Sequence, residues 1–373
     1  MKPLLDYRPA LVNGQGIGRY VRELTRSLVA LSEVDLALFA PTWARSEFAV
    51  ESLGIERARL FRRTLPSKAV TRSLSALGLG VERLFRGGAD LCHHTQYRRL
   101  PTRLPSVAMI HDLVFLDDER FMASATASRM SEFARWAASE CAAITTPSET
   151  VADEVACRLD VPRERVFATP LGVDHALPGP LVAEGAAWEA AGEAAGTPYF
   201  FTAARIETRK NLGVVLRAFE QLDIPGVRWK IAGIRGDGAE VFEEALRRSP
   251  ARDAIDLLGH VSESALRDLT MGAIAFVLVP LDEGFGLAPL EAMAMGTPAV
   301  SSRVPVVEEV CGGGAVLVNP SDEAALAIEL RRLAAEPGVR DERARLGYEH
   351  AARFTWSVTA ERTLDAYRFA LSL

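Results

Sequence analysis

Two hydrophobic periodicities alternate along the chain. Short apolar runs at residues 34–39, 107–110 and 143–146 have the length of strands, while residues 20–31 and 130–141 repeat their apolar positions at the helical period. Ser148 opens the next helical run in the position of an N-cap. The pattern lapses after residues 170–174. Residues 178–198, rich in Pro, Gly, Ala and Glu, carry no strand signal and read as a linker with room for one short helix. A second series then begins at 199–203 and continues through 229–232, 255–258, 276–279, 299–300 and 315–318. Strands alternating with helices imply parallel, doubly wound α/β sheets. Two such series predict two α/β domains with a hinge near residues 172–197.

Composition bounds the class. The 373 residues are 49% hydrophobic, enough to fill the cores of two domains. No apolar run approaches the roughly 18 residues of a membrane span, and the first six residues lack the apolar core of a signal peptide. Cys92, Cys141, Cys157 and Cys311 are scattered without a C-x-x-C pair. That spacing argues against a zinc ribbon or disulfide scaffold and fits thiols packed as small hydrophobes in a reducing cytoplasm.

The net charge of −6 is unevenly spread. Eleven Lys and Arg between residues 57 and 103 meet only Glu82 and Asp90, a local +9 that leaves −15 for the rest. Val70, Leu74, Leu77, Val81, Leu84 and Phe85 thread this basic stretch at partly helical spacing. Two readings compete: a basic amphipathic helix lying on an anionic membrane, and a core-facing helix with a solvated basic face. Without interleaved aromatic residues, nucleic acid is not an expected partner.

The chemistry concentrates in Glu283-Gly284-Phe285-Gly286-Leu287-Ala-Pro-Leu-Glu291, between an apolar strand run and a helix-like run. Backbone N–H groups at such a helix start can hold phosphate, and carboxylates can accept hydrogen bonds from sugar hydroxyls. Gly284 and Gly286 allow positive φ or close approach of the backbone. Arg205 and Lys210 follow the first strand of the second series and can neutralise a departing diphosphate. Arg209, beside Lys210, is expected to be the solvent-exposed member. Gly14, Gly16 and Gly18 form a glycine loop that is not the dinucleotide fingerprint: the spacing differs and no strand of adequate length precedes it. His111 closes a buried apolar run. His93 and His94, adjacent on a strand, point to opposite faces and cannot readily share a metal, and Asp117-Asp118 reads as loop surface.

The order of these motifs resembles the retaining GT-B glycosyltransferases of the group-1, or family 4, type, which use nucleotide-sugar donors. Gly14 to Tyr20 is similar to that family's N-terminal glycine loop; Asp90 to His94 and Ile110 to Asp112 to its strand ends. Thr146 to Glu149 resembles its helix start and Leu171 to Asp174 its interdomain segment. Arg205 to Asn211 resembles its basic donor-phosphate loop, Glu283 to Glu291 its Glu-x₇-Glu signature, and Phe354 to Trp356 the start of its crossover helix. The resemblance covers nearly the whole chain.

It implies a GT-B fold: two Rossmann-like domains with a cleft between them and a C-terminal crossover helix. Residues 1–175, with 357–373 packing back through Leu364, Tyr367 and Leu371, would take the acceptor. Residues 176–356 would take the donor. The implied reaction moves a hexosyl unit, mannosyl or similar, from a nucleotide diphosphate sugar to an acceptor hydroxyl with retention, in cell-surface glycan or glycolipid synthesis. It needs no cofactor beyond the donor itself and no metal. Implied catalytic residues are His111, Glu283, Arg205 and Lys210; implied donor-binding residues are Gly14, Gly16, Gly284, Phe285, Gly286, Leu287 and Glu291. Glu283 would face the sugar hydroxyls, Glu291 the ribose, and His111 the sugar near the reacting centre. Taken without the resemblance, Glu291 could be a first-turn helix acid.

The chain departs from the pattern at Ala203-Ala204, where the family often carries Gly-Arg or Gly-x-Leu, and at Ser301 to Pro305. Rival readings are a nucleotide-sugar 2-epimerase and a non-catalytic nucleotide-sugar-binding subunit.

Overall fold

A computed structural model describes residues 1–14, 16–43, 54–117, 121, 124–177 and 197–373. Asp118 and most of the linker, residues 178–196, lie outside them. The chain divides into two compact units. The first comprises Met1–Leu116, Ser124–Gly172 and Thr355–Leu373, and the second comprises Val173–Phe354 together with Asp117–Ala123.

The sheet of the first unit is formed by β1 (Pro3–Asp6), β2 (Ala37–Phe39), β3 (Arg59–Phe61), β4 (Leu91–His94), β5 (Ser106–Met109), β6 (Ala143–Thr146) and β7 (Val166–Ala168). Their order is β3-β2-β1-β4-β5-β6-β7 and every pairing is parallel. The second unit's sheet is formed by β8 (Tyr199–Ala203), β9 (Arg228–Ala232), β10 (Ile255–Gly259), β11 (Phe276–Leu278), β12 (Ala299–Ser302) and β13 (Val316–Val318). It runs β10-β9-β8-β11-β12-β13, again all parallel. Each sheet therefore has one point where strand order reverses, β1/β4 in the first and β8/β11 in the second. Ligands of open α/β sheets bind beyond the carboxyl ends of the strands at such a point.

Local chemistry explains the element ends. Ser148 Oγ accepts the Val151 N–H at 3.2 Å and Thr355 Oγ1 the Val358 N–H at 3.3 Å, capping helices Glu149–Arg158 and Trp356–Ser372. The C-terminal helix lies against β4 to β7 and helix Ile17–Ala30, with Leu364 and Tyr367 buried and Leu371 exposed. The strand expected over residues 34–39 contracts to β2, because the turn leaving the preceding helix takes Val34, whose N–H donates to the Leu31 carbonyl at 3.1 Å.

The basic stretch is not one continuous helix. Helix Ser67–Ala76 stops where Gly78 turns to φ +65° and the Leu79 N–H donates to the Leu74 carbonyl at 2.8 Å. A single turn, Val81–Leu84, follows. Val70, Leu74, Val81, Leu84 and Phe85 pack with Leu4, Phe39 and Leu100 in the unit's core, which is the core-facing reading. Leu77 is left 71% exposed.

Candidate active site

Two loops meet beyond the carboxyl ends of β8 and β11. After β8 the chain passes Arg205 and makes a single 3₁₀ turn, Thr208–Lys210, that ends at Asn211 in the left-handed region, φ +55°. The Asn211 amide donates to the Val279 carbonyl at 3.0 Å and to the Pro320 carbonyl at 2.8 Å, and the Leu281 N–H donates to the Arg209 carbonyl at 2.9 Å. These bonds fasten the basic loop to the acidic one.

At the junction, Lys210 Nζ lies 2.5 Å from Glu283 Oε1, and Arg209 Nη1 lies 4.0 Å from Glu283 Oε2. All three side chains are largely buried. Burial works to raise the Glu283 pKa, but the charges of Lys210 and Arg209, with bonds from Lys210 and the Gly284 N–H, outweigh it and hold the carboxyl below its ordinary value. Glu283 is thus an anion at neutral pH.

Arg209 was expected to face solvent, and the structure reverses that. Its side chain is 18% exposed, whereas that of Arg205 is 59% exposed and, among the described residues, forms its ion pair with Glu207 at 3.7 Å. A 3₁₀ turn brings residues three apart onto one side, so position beside Lys210 in the sequence does not fix the direction of Arg209.

Helix Leu287–Ala294 starts from Gly286, whose φ of +86° an L side chain adopts with strain. Gly284 is not among the positive-φ glycines. Pro289, third in the helix, has no N–H, and the Leu290 N–H is used by the Gly286 carbonyl at 3.3 Å. The helix therefore presents the amides of Leu287 and Ala288 to an anion. Phe285 is buried with its ring 6.1 Å from that of Phe354, edge to face, so its backbone rather than its ring is available to a ligand.

Glu291 is fifth in this helix, past the first turn, and is not the first-turn acid of the simpler reading. It is 8% exposed, and His175 Nε2 lies 3.1 Å from its Oε1. The pattern reading missed His175; its signal was the position directly after Leu171 to Asp174.

In the first unit, Gly16 takes φ +55° at the start of helix Ile17–Ala30, and a β-carbon on Gly14 or Gly16 would meet nothing within 4 Å. A β-carbon on Gly18 would lie 1.9 Å from the Asn13 carbonyl oxygen. The buried Arg22 guanidinium holds the carbonyls of Ala10, Asn13 and Gly14, which shapes the loop. A strand of adequate length does precede this loop. β1 is short and opens with proline, which hid it, yet all four of its residues are buried.

His111 follows β5. Its Nε2 donates to the Thr95 carbonyl at 3.0 Å, and its ring stands edge-on to Tyr20 at 5.3 Å. Burial pulls its pKa down to about 4, against the opposing bond to Thr95. The neutral ring thus keeps its proton on Nε2 and offers Nδ1 as an acceptor. The Tyr97 hydroxyl fixes this turn: it accepts the N–H groups of His111 at 3.0 Å and Asp112 at 2.9 Å and donates to the Asp112 carbonyl. His93 and His94 do diverge, His93 bonding the Tyr367 hydroxyl at 2.8 Å and His94 the Leu100 N–H and Ser106 Oγ.

The structure thus brings Lys210, Glu283, Gly286 and Leu287 together with Arg209, while Arg205 pairs with Glu207 rather than Glu283. Residues 14–177 match the family described as Glycosyltransferase Family 4, and residues 188–353 match Glycosyl transferases group 1. The chain belongs to the group-1 glycosyltransferases.

This glycosyltransferase is 25% identical to O-antigen chain mannosyltransferase B of Escherichia coli over 380 residues, covering 99% of this chain and 100% of the relative. Its fold matches sucrose-phosphate synthase from Thermosynechococcus elongatus with a TM-score of 0.75 at 21% identity, covering 98% of each chain. It also matches Anabaena HepE in complex with UDP and glucose, with a TM-score of 0.73 at 16% identity over 100% of each chain. The fold is GT-B. None of these relatives supports an epimerase or a non-catalytic subunit. The departure at Ala203-Ala204 is matched elsewhere in the glycosyltransferase: a β-carbon on Gly233 would lie 1.7 Å from the Ala204 carbonyl oxygen, so the close approach is accommodated from β9's end instead.

Proposed function

We propose that this glycosyltransferase moves a hexosyl unit, mannosyl or similar, from a nucleotide diphosphate sugar to an acceptor hydroxyl with retention and without a metal, in glycan or glycolipid synthesis. The observation that carries the donor reading is the Lys210–Glu283 pair beside the amides of Leu287 and Ala288. The incoming diphosphate competes for Lys210, drawing the ammonium away from the carboxylate. Glu283 is then free to accept hydrogen bonds from the sugar hydroxyls. Lys210 and Arg209 offset the charge that develops on the leaving diphosphate, with Arg205 as an outer contact. The Leu287 helix adds its amides, Gly284 and Phe285 their backbone, and Glu291, held by His175, grips the ribose.

In the first unit, the loop at Gly14 and Gly16 offers amides to phosphate, and neutral His111 accepts a hydroxyl through Nδ1. That unit takes the acceptor. The mannosyltransferase relative and the UDP and glucose bound to HepE support this assignment of substrates.

Thermal shift across UDP-, GDP-, ADP- and dTDP-sugars tests the donor reading. One series should raise the melting temperature in wild type and not in Lys210→Ala, with transfer persisting in EDTA and the product keeping the donor's anomeric configuration by NMR. No stabilisation by any of the four would sink it.

The basic stretch 57–103 adds a membrane partner to this proposal. No helix among the described residues is long and apolar enough to cross a membrane. Exposed Leu65, Leu77 and Leu79 among Arg62, Arg63, Lys68 and Arg72 nonetheless support peripheral contact with an anionic lipid surface, at the cytoplasmic face. The protein should sediment with phosphatidylglycerol vesicles and not with phosphatidylcholine vesicles, and Leu77→Asp should weaken that binding. Equal recovery with both vesicle types would remove the membrane from the account.

A further inference from the structure

The chain leaves β4 at His94 with β1 on one side and β5 on the other. The next three residues bond to both neighbouring strand ends. Towards β1, Thr95 Oγ1 donates to the Asp6 carbonyl at 2.6 Å, and the Gln96 side-chain amide donates to Asp6 Oδ2 at 2.9 Å. Asp6 is fully buried and is itself held by Arg8, whose Nε donates to Oδ1 at 2.6 Å. Towards β5, the Thr95 carbonyl accepts from His111 Nε2 at 3.0 Å. The Tyr97 hydroxyl accepts the N–H groups of His111 and Asp112 at 3.0 and 2.9 Å and donates to the Asp112 carbonyl at 2.7 Å.

One three-residue segment therefore holds both the ring of His111 and the backbone that carries it. A carbonyl can only accept, so the Thr95 bond puts the proton of the neutral imidazole on Nε2 and leaves the lone pair on Nδ1. The Tyr97 oxygen uses its proton and both lone pairs on the turn. Packing alone would be served by phenylalanine: the ring already meets Phe115 and Phe133 edge to face at 5.4 and 5.7 Å. Only the hydroxyl reaches the turn. Without it, two neighbouring N–H groups lose their acceptor together, which costs more than the bonds themselves contribute.

We propose that Thr95, Gln96 and Tyr97 form a positioning segment for His111, with the Tyr97 hydroxyl as its main support, and that it presents Nδ1 to a substrate hydroxyl. The second half rests on the reading of His111 as a sugar contact. The three residues act through His111 rather than on the substrate.

Long-range proton–nitrogen NMR of histidine-labelled protein tests the positioning apart from the reaction, with the His111 signals assigned by their loss in His111→Ala. At neutral pH the wild-type ring should be the single Nε2–H tautomer. In Tyr97→Phe, which removes one oxygen atom, the same ring should show both tautomers. Thr95→Val, which cuts the tie to Asp6, should shift the ring in the same direction, and Thr95→Ser should restore it. A mixed wild-type ring, or an unchanged Nε2–H tautomer in Tyr97→Phe, overturns the proposal; if Tyr97→Phe does not fold, the Thr95→Val spectrum decides in its place. The kinetic consequence is read as nucleoside diphosphate release from the donor sugar. Tyr97→Phe should lower kcat about tenfold or more with donor KM within about twofold, and should cost nothing further in a His111→Ala background. An equal loss in both backgrounds overturns the proposal, because the hydroxyl then acts other than through His111. If His111→Ala releases the diphosphate at the wild-type rate, the sugar-contact reading fails, while the tautomer spectra still decide whether the segment holds the ring.

Discussion

Lys210→Ala should lower kcat/KM for glycosyl transfer on the order of 10²–10³-fold, the range found when a preorganised charge-stabilising group is removed from an active site. Lys210 is the nearest cation to Glu283, at 2.5 Å, so its loss also strips a buried carboxylate of its main partner. Removing one member of a buried pair destabilises by roughly 3–5 kcal/mol when desolvation is complete. Part of the lost rate could then be lost fold, and thermal midpoints with and without donor separate the two. Glu283→Ala should cost a comparable factor, and the double variant should fall well short of the product of the single losses, because both groups act in one unit. Arg205→Ala, at an exposed position, should cost less than either. Unchanged transfer by Glu283→Ala would remove this site from the mechanism.

The first unit should lose stability as pH falls from about 6.5 towards 4. Burial pushes the pKa of His93 and His94 down to about 3 and that of His111 to about 4. The unfolded chain titrates these rings near 6.5, so between that value and the folded ones it binds protons that the folded unit does not. Stability is fully present above about 6.5, and each histidine removes about 1.4 kcal/mol per pH unit below it, down to its folded value. In this unit the buried Asp6, whose pKa is lowered, adds its loss only as pH falls from the ordinary carboxylate range through the lowered folded value, so the histidine slope comes first. Urea unfolding at pH 7.5, 6 and 5 measures it, with the two units fitted as separate transitions. A flat first transition across that range would mean that the rings are not held neutral. For the same reason, transfer should show no titration of His111 near 6.5.

Much of this molecule is legible in its sequence. β6 and β8 fall where the apolar runs put them, and the Ser148 cap is readable because one side chain and one N–H decide it. β1 was not legible: four residues starting with proline and ending in a charge give no alternation, and Asp6 is tolerated inside only because Arg8 and Gln96 complete it. The site shows the same limit. The two loops bearing Lys210 and Glu283 announce themselves by residue type, but side-chain direction does not. Arg209 turns inward because Asn211 and Leu281 fasten its loop, and those are contacts 68 and 72 positions apart in the chain. His175 and Tyr97 were missed for that reason too. Each matters through a partner distant in sequence, Glu291 for one and, for the other, the backbone of the His111–Asp112 turn.

One consequence follows from where the chain crosses between its units. The Val173 N–H donates to the Phe354 carbonyl at 2.9 Å, so the segment that begins the second unit and the segment that ends it are neighbours. On the first unit's side, a β-carbon on Gly172 would lie 2.2 Å from the Trp356 amide nitrogen, so the outgoing and returning chains touch there as well. The long segment Val173–Phe354 of the second unit therefore begins and ends at one seam. Recombination between relatives at that seam would exchange residues 173–354 as one piece by two adjacent splices, leaving all seven strands of the first sheet and its closing helix in place. Gly172 cannot vary freely at this splice, since any side chain there would strike the returning backbone. Whatever residues 173–354 bind can thus be changed by transplantation as well as by point substitution, with the first sheet inherited unchanged.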